Sequence, residues 1–355
     1  MLKPTVPAST PGRIALVRFS ALGDLVLTVP LLHALRQHFP QAGITLITSP
    51  LGHALLQGMP GVQFEVFAKP RTLTDYRAFY RAFRGRNFDV VLALQANLRI
   101  NLLYPALKAP LKIGFDRERA REGQWLFCNQ HIEFVGMHLA DSFLEFAKRL
   151  GVTSQMSEWG LPLAEEDRAW AQQVSARLPR PLIVLHPCSS KGERNWLLDR
   201  YAEVVRVAQR KWNCSFAFTG GNNALEREYC DHLARVAGDA GINLCGKTTP
   251  RQLAALLQQA DGLIAPDTAA VHLARAVETP VLGLYAVASP ELSGPHQRMD
   301  YVVNRYPDAV RRYLGRDATG VPWNTRVHHS GAMALITVDD VIHQLERLLN
   351  SAKKH

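Results

Sequence analysis

Four short stretches and a set of arginines carry the residue types that could do chemistry in this chain of 355 residues. The first stretch is Arg18-Phe19-Ser20-Ala21-Leu22-Gly23-Asp24-Leu25, between an apolar run and a helical pattern. Its carboxylate, Asp24, can take a proton from a substrate hydroxyl or simply cap the helix that follows. The stretch lacks the lysine and glycine spacing of a phosphate loop and is not G-x-G-x-x-G. The second stretch is His186-Pro187-Cys188-Ser189-Ser190-Lys191-Gly192-Glu193-Arg194-Asn195-Trp196. Two hydroxyls (Ser189, Ser190), two cations (Lys191, Arg194) and free backbone N–H groups suit a diphosphate there. A solvated basic loop is the plain alternative.

The third stretch is Ala265-Pro266-Asp267-Thr268-Ala269-Ala270-Val271-His272. A helix beginning here offers N–H donors and the positive end of its dipole to phosphate. Asp267 can accept from sugar hydroxyls, and His272, five residues on, is either a packed core histidine or a ligand. The fourth, Gly220-Gly221-Asn222-Asn223, closes another apolar run and can receive a base or ribose. Among the first-half arginines, Arg99 follows the apolar run ending Leu94-Gln95, and Arg121 follows Gly114-Phe115-Asp116. Both are placed to grip acidic groups. The sequence holds no D-x-D triplet, of the kind that often holds a divalent ion in nucleotide-sugar enzymes. H-E-x-x-H and G-x-S-x-G are also absent, which disfavours metal hydrolysis and a nucleophile elbow.

The elements that must position these residues follow from apolar periodicity. Strands are expected at 13–18, 44–48, 62–67, 89–94 and 112–115, with a turn at 20–24, a helix from there through about 39, and a helix at 138–150. After a break at 151–162 and a helix at about 165–178, the pattern restarts. Strands are expected at 181–186, 214–219, 242–244, 262–265 and 280–285, and helices at 196–212, 225–237, 250–260 and 267–277. Strands alternating with helices imply parallel sheets covered on both faces. The architecture is therefore two doubly wound α/β halves in tandem, 1–160 and 161–355. Ligands are expected at the carboxyl ends of the strands, in the cleft between the halves. The segment 286–334 fits no pattern and reads as a flexible loop or an insertion. A last helix at 337–350 starts at a capping box of Thr337 and Asp340, and packing of this helix back on the first half is expected.

Hydrophobic residues make up 47% and charged residues 20% of the chain, which excludes disorder, collagen and coiled coil. The five cysteines form no C-x-x-C pair, so a disulfide framework or thiolate zinc site is not expected. No apolar run reaches the ~18 residues of a membrane span, and the Pro-, Ser- and Thr-rich opening lacks the apolar core of a signal peptide. A cytoplasmic protein is expected. The net charge is +10, and residues 1–160 hold 18 basic against 11 acidic side chains. The excess favours anionic partners: phosphorylated substrates, an acidic membrane face or nucleic acid. Nucleic acid is a remote reading, because basic and aromatic residues do not interleave and no known motif is present.

These stretches together resemble the bacterial heptosyltransferases, glycosyltransferase family 9. Arg18 to Pro30 resembles the family's opening x-S-x-x-G-D-x-x-x-x-x-P element, and Val91 to Arg99, with Gln95, its second signature. Residues 186–196 and 266–272 resemble its donor-binding elements. The likeness spans about residues 13–285 and the final helix. It implies a GT-B fold, with an N-terminal acceptor-binding and a C-terminal nucleotide-sugar-binding domain, both Rossmann-like. It further implies an inverting transfer of L-glycero-D-manno-heptose from its ADP-sugar to Kdo or heptose of the lipopolysaccharide inner core. No metal and no cofactor beyond the donor are implied, and the enzyme would work at the inner-leaflet surface, free of nucleic acid. By position Asp24 is similar to the catalytic base. Ser189, Ser190, Lys191, Arg194, Gly220, Gly221, Asp267, Thr268, Ala269 and His272 fall on the donor side. Ser20, Gly23, Gln95, Arg99 and Arg121 fall on the acceptor side. Ala269 departs from the family's usual glycine, so a donor other than ADP-heptose stays open.

Overall fold

The computed structural model describes residues 10–136, 138–153 and 158–352. The opening Pro-, Ser- and Thr-rich residues 1–9, and residues 154–157 of the expected break, lie outside the described residues. The chain divides into two compact units, Met1–Pro162 and Leu163–His355.

The first unit contains β1 (Arg13–Val17), α1 (Leu22–Val26), α2 (Val29–His38), β2 (Gly43–Thr48), α3 (Pro50–Leu56) and β3 (Val62–Val66). It continues with α4 (Leu73–Ala82), β4 (Val90–Leu92), α5 (Leu98–Asn101), β5 (Leu111–Gly114), β6 (Gln130–His131) and α6 (Leu139–Arg149). Its six strands are parallel in the order β3-β2-β1-β4-β5-β6. Side chains alternate along a strand, so β1 serves both faces. Ala15 and Val17 pack into an aromatic cluster with Phe79, Phe83, Phe88 and Tyr104. Ile14 and Leu16, equally buried, point the other way, the side where α2 packs on α6. Four elements exceed the sequence expectations: α3, α5, the short edge strand β6, and α4. The last is opened by a capping box in which Thr72 N–H donates to Asp75 Oδ2 (2.8 Å) and Asp75 N–H to Thr72 Oγ1 (3.3 Å).

The second unit contains α7 (Glu165–Ser175), β7 (Leu182–Leu185), α8 (Leu198–Trp212), β8 (Ser215–Phe218), α9 (Ala224–Ala237) and β9 (Gly241–Asn243). Then follow α10 (Pro250–Gln259), β10 (Gly262–Pro266), α11 (Ala269–Ala276), β11 (Val281–Tyr285), α12 (Pro290–Ser293), β12 (Val303–Asn304), α13 (Tyr306–Leu314) and α14 (Val338–Ala352). The parallel order is β12-β11-β10-β7-β8-β9, the same winding as in the first unit. One face of the sheet carries a core that draws Trp196, Tyr201 and Val205, with Leu233 of α9 and Leu345 and Leu348 of α14. α14 packs against α8 and β11 of its own unit. Its capping box is present, with Thr337 N–H donating to Asp340 Oδ2 (2.9 Å) and Asp340 N–H to Thr337 Oγ1 (3.1 Å).

The segment 286–334 is built into the second unit, not left as a loose loop. It supplies the sixth strand of the sheet and α13, and it buries Tyr306, Val310, Val327 and Met333 in the core. Trp196 Nε1 donates to the Ile336 carbonyl just beyond it, at 3.1 Å. The segment lacked a readable pattern because its strand has two residues and its longest helix nine.

Candidate active site

In each sheet the strand order reverses beside the first strand. β2 and β3 extend from one side of β1 and β4 to β6 from the other; β8 and β9 extend from one side of β7, and β10 to β12 from the other. Loops leaving the two strands at a reversal part from each other and open a crevice at the carboxyl edge, where ligands bind in open parallel sheets. Every stretch singled out from the sequence except the fourth lies beside one of these two reversals, and the fourth leaves β8, next to β7.

In the first unit the loop after β1 is clamped from both neighbouring strands. Thr48 Oγ1, at the end of β2, donates to the Arg18 carbonyl (2.7 Å), and Ser49 Oγ to the Phe19 carbonyl (2.8 Å). From the β4 side, Phe19 N–H donates to Gln95 Oε1 (2.8 Å), and Gln95 Nε2 donates to Ser20 Oγ (3.3 Å). Tyr104 OH holds the Gln95 carbonyl at 2.6 Å. Gln95 is buried, and its amide is committed to shaping the loop. Gly23 is buried in the first turn of α1.

Asp24 sits in that first turn with its side chain 33% exposed. Its Oδ2 accepts from Ala21 N–H at 3.0 Å and from the Arg18 guanidinium. The helix-cap role and an exposed carboxylate thus coexist in one residue. Arg18 is itself buried, bonds the Leu94 carbonyl through its other nitrogen, and stacks over the Phe143 ring at 5.5 Å. Lys69, from the loop after β3, joins the group. Partial burial, then the charges of Arg99 and Arg18, hold its ammonium below the usual lysine value, while the Asp24 carboxylate pulls the other way. Asp24 is therefore a carboxylate bonded to Arg18, with Lys69 within electrostatic reach of both. Arg121 is exposed, and its carbonyl accepts from Asn101 Nδ2 at 3.1 Å; no described contact joins its guanidinium to Asp24.

In the second unit the loop after β7 is built as a turn of exposed polar groups over a buried floor. Ser189 N–H donates to Asn195 Oδ1 (2.7 Å) and Lys191 N–H to Ser189 Oγ (3.4 Å). A 3-10 turn at Gly192–Arg194 follows, and Ser190 and Lys191 are exposed. Arg194 NH1 pairs with Asp267 Oδ2 at 2.9 Å, joining the loops of β7 and β10. Beneath them His186 Nδ1 lies 3.0 Å from Thr219 Oγ1; burial pushes the imidazole pKa down to about 4. Gly220 and Gly221 leave β8 next door. Gly246 N–H donates to the Gly220 carbonyl (3.0 Å), and Cys245 Sγ to the Gly221 carbonyl (3.1 Å). Thr268 is the N-cap of α11 and Ala269 its first residue. The opening turn of that helix presents unpaired N–H groups to the crevice, as helix N-termini do. His272 is buried on the same helix.

Sequence reading missed Lys69 and the pairing role of Arg18. Arg18 lies inside the first stretch, at the end of a strand where its side chain reaches the crevice, which is a usable signal. Lys69 sits far from the others in the chain and only the β3-β2-β1 order brings it in. A cavity of about 890 Å³ lies elsewhere in the first unit. Phe115, Trp125, Cys128 and His131 line it at the ends of β5 and β6, and it shares Gln124 with the network under Gln95. Among the described residues no group of three or more His, Cys, Asp or Glu is arranged to hold a metal ion.

Comparison with known proteins gives consistent matches. The sequence profile of glycosyltransferase family 9 (heptosyltransferase) matches residues 76–312. The chain is 30% identical to the lipopolysaccharide core heptosyltransferase OpsX of Haemophilus influenzae, across 95% of this chain and 97% of that protein. Its fold is similar to that of a glycosyl transferase family 9 protein from Veillonella parvula, with a TM-score of 0.78 at 21% identity, covering 96% of this chain and 97% of that one. It is also similar to ADP-heptose lps heptosyltransferase II of Escherichia coli, with a TM-score of 0.74 at 19% identity, covering 96% and 99%.

Proposed function

The chain belongs to glycosyltransferase family 9, the heptosyltransferases, with their GT-B fold, and from that premise we propose that it transfers heptose from ADP-L-glycero-D-manno-heptose to the inner core of lipopolysaccharide. The acceptor residue is Kdo or heptose, the anomeric configuration inverts, and no divalent ion takes part. The observation that carries the reading is the Arg194–Asp267 pair at the β7/β10 reversal, a cation and a carboxylate set between two loops rich in backbone N–H groups. It supports a site for a diphosphate joined to a sugar.

In this mechanism the acceptor hydroxyl gives its proton to Asp24 through Oδ1, the carboxylate oxygen not engaged by Arg18 and Ala21. The hydroxyl oxygen then attacks the anomeric carbon from the face opposite the diphosphate. The bond from that carbon to the β-phosphate oxygen breaks, and ADP leaves with the electron pair. Negative charge gathers on the departing phosphate, where Arg194, Lys191 and the first amides of α11 stabilise it. Such fixed donors work without reorganising during the reaction, which is how two side-chain cations can serve where other enzymes use an ion. The cations Arg18, Lys69 and Arg99, which act on one another, suit an acceptor carrying carboxylates and phosphates.

No helix among the described residues is long and apolar enough to cross a membrane; we place the enzyme in the cytoplasm, working against the inner face of the inner membrane. The nucleic-acid alternative drawn from the net charge is superseded by family membership. A second donor reading rests on Ala269, whose methyl occupies the start of α11. A thermal-shift panel decides between them. ADP-heptose is expected to raise the melting temperature most, and the heptose reading fails if only a UDP- or GDP-sugar does so. Transfer that persists in EDTA, with product of inverted configuration by NMR, tests the remaining steps.

A further inference from the structure

Thirteen large apolar side chains stand exposed among the described residues, and six of them crowd one stretch of the first unit. These are Leu73 and Tyr80 of α4, Leu98 and Leu102 at α5, and Trp125 and Leu126 of the 3-10 turn at Gln124–Leu126. Trp125 is 64% and Leu126 75% exposed. Hydrogen bonds draw the three pieces into one surface. The hydroxyls of Tyr76 and Tyr80 donate to the carbonyls of Arg99 and Leu102, at 3.0 and 2.9 Å. Asn101 Nδ2 donates to the carbonyls of Arg121 and Glu122, at 3.1 and 2.9 Å, and Leu98 N–H donates to Glu122 Oε2 at 2.5 Å.

The segment that carries this surface is basic. From Arg71 to Glu122 the chain has eleven Lys and Arg against five Asp and Glu, more than half of its net +10. Arg77, Arg81 and Arg84 recur at helical spacing and are exposed, as are Arg99 and Arg121. Exposed guanidinium groups call for an anionic partner, and the leucine and tryptophan tips for one with an apolar interior. Here arginines stand between and beside the apolar tips. That pattern suits a headgroup layer, where leucine and tryptophan side chains reach the acyl boundary and guanidinium groups meet lipid phosphates.

We infer that the surface formed by α4, α5 and the turn at 124–126 docks on an anionic lipid bilayer. Arg99 belongs to this surface and acts electrostatically on Lys69, which in turn feels the Asp24 carboxylate, so an acceptor that is itself an anionic lipid would be met at the membrane on the side of the base. That last consequence deepens the proposed function and rests on it; the docking does not.

The test uses the full chain and vesicles of phosphatidylcholine with and without phosphatidylglycerol, read by co-sedimentation. The chain is expected to bind the anionic vesicles, and more weakly as salt is raised. A Trp125→Ser/Leu126→Ser variant is expected to lower partition about tenfold or more, and Arg77→Gln/Arg81→Gln about fivefold per arginine on anionic vesicles. ADP binding and melting temperature, unchanged in both variants, show that the fold persists and keep this inference separate from the donor reading. The inference is overturned if the parent chain ignores anionic vesicles, or if both variants bind them like the parent. It is equally overturned if Trp125→Ser/Leu126→Ser dissolves a dimer of this chain while vesicle binding persists.

Discussion

Arg194 NH1 and Asp267 Oδ2 stand 2.9 Å apart, with side chains only 16% and 9% exposed, although the residues come from loops that leave two different strands. The pair spans the β7/β10 reversal. A buried charge needs a partner, and each of these residues serves the other until an anion takes the guanidinium. A diphosphate bound to Arg194 would release the Asp267 carboxylate to accept from sugar hydroxyls, so one ion pair prepares both halves of the donor.

Arg194→Ala is therefore expected to weaken ADP binding by about ten- to a hundredfold, the value of one charge-assisted hydrogen bond. Calorimetric titration with ADP measures it. An unchanged dissociation constant would show that the diphosphate rests elsewhere.

Asp24→Asn keeps an oxygen for the Ala21 N–H and Arg18 bonds but removes the basic carboxylate. Transfer is expected to fall by roughly 10²–10⁴-fold, with ADP affinity and melting temperature close to those of the parent. Near-normal turnover would take Asp24 out of the base role.

Lys69→Met removes a cation within electrostatic reach of Asp24 while keeping the length of the side chain. The acceptor KM is expected to rise about fivefold, within the range for a partly exposed charge pair, and the donor KM to stay put. The difference should shrink with added salt. Equal changes in both constants would mean that Lys69 shapes the loop instead of meeting the acceptor.

His186 links stability to pH. Its folded pKa, about 4, lies below the ordinary histidine value because burial disfavours the charged ring. The unfolded chain thus binds the proton first on acidification. The stabilisation is complete above about pH 6.5 and is lost as the pH falls toward 4, by at most about 3 kcal/mol. Urea unfolding at several pH values measures this. His186→Asn is expected to flatten the slope between pH 6.5 and 4, and an unchanged slope would assign it to other groups.

Much of the fold was open to reading because its signals are short-range. The apolar runs of β1, β2, β4, β7, β10 and β11 and the helical periodicity of α8, α9 and α14 each fit within a small window. The elements that escaped are β6, β12, α3, α5 and α12, which have too few residues to show a period, α13 within the unpatterned 286–334 segment, and α4, whose exposed face mixes leucine and tyrosine with arginine. For α4 the Thr72-x-x-Asp75 cap was a readable signal.

The candidate site divides in the same way. Asp24, the Ser189–Arg194 loop and the Asp267–Ala269 helix start were identifiable from the chain alone, because residue type and position at a strand-to-helix turn are properties of contiguous residues. Tertiary structure decided their partners: Arg18 on Asp24, Lys69 within reach of both, Arg194 on Asp267, and the 286–334 segment in the core. Those choices follow strand order in a parallel sheet, where crossover connections bring distant stretches side by side. Separation along the chain carries no record of that order.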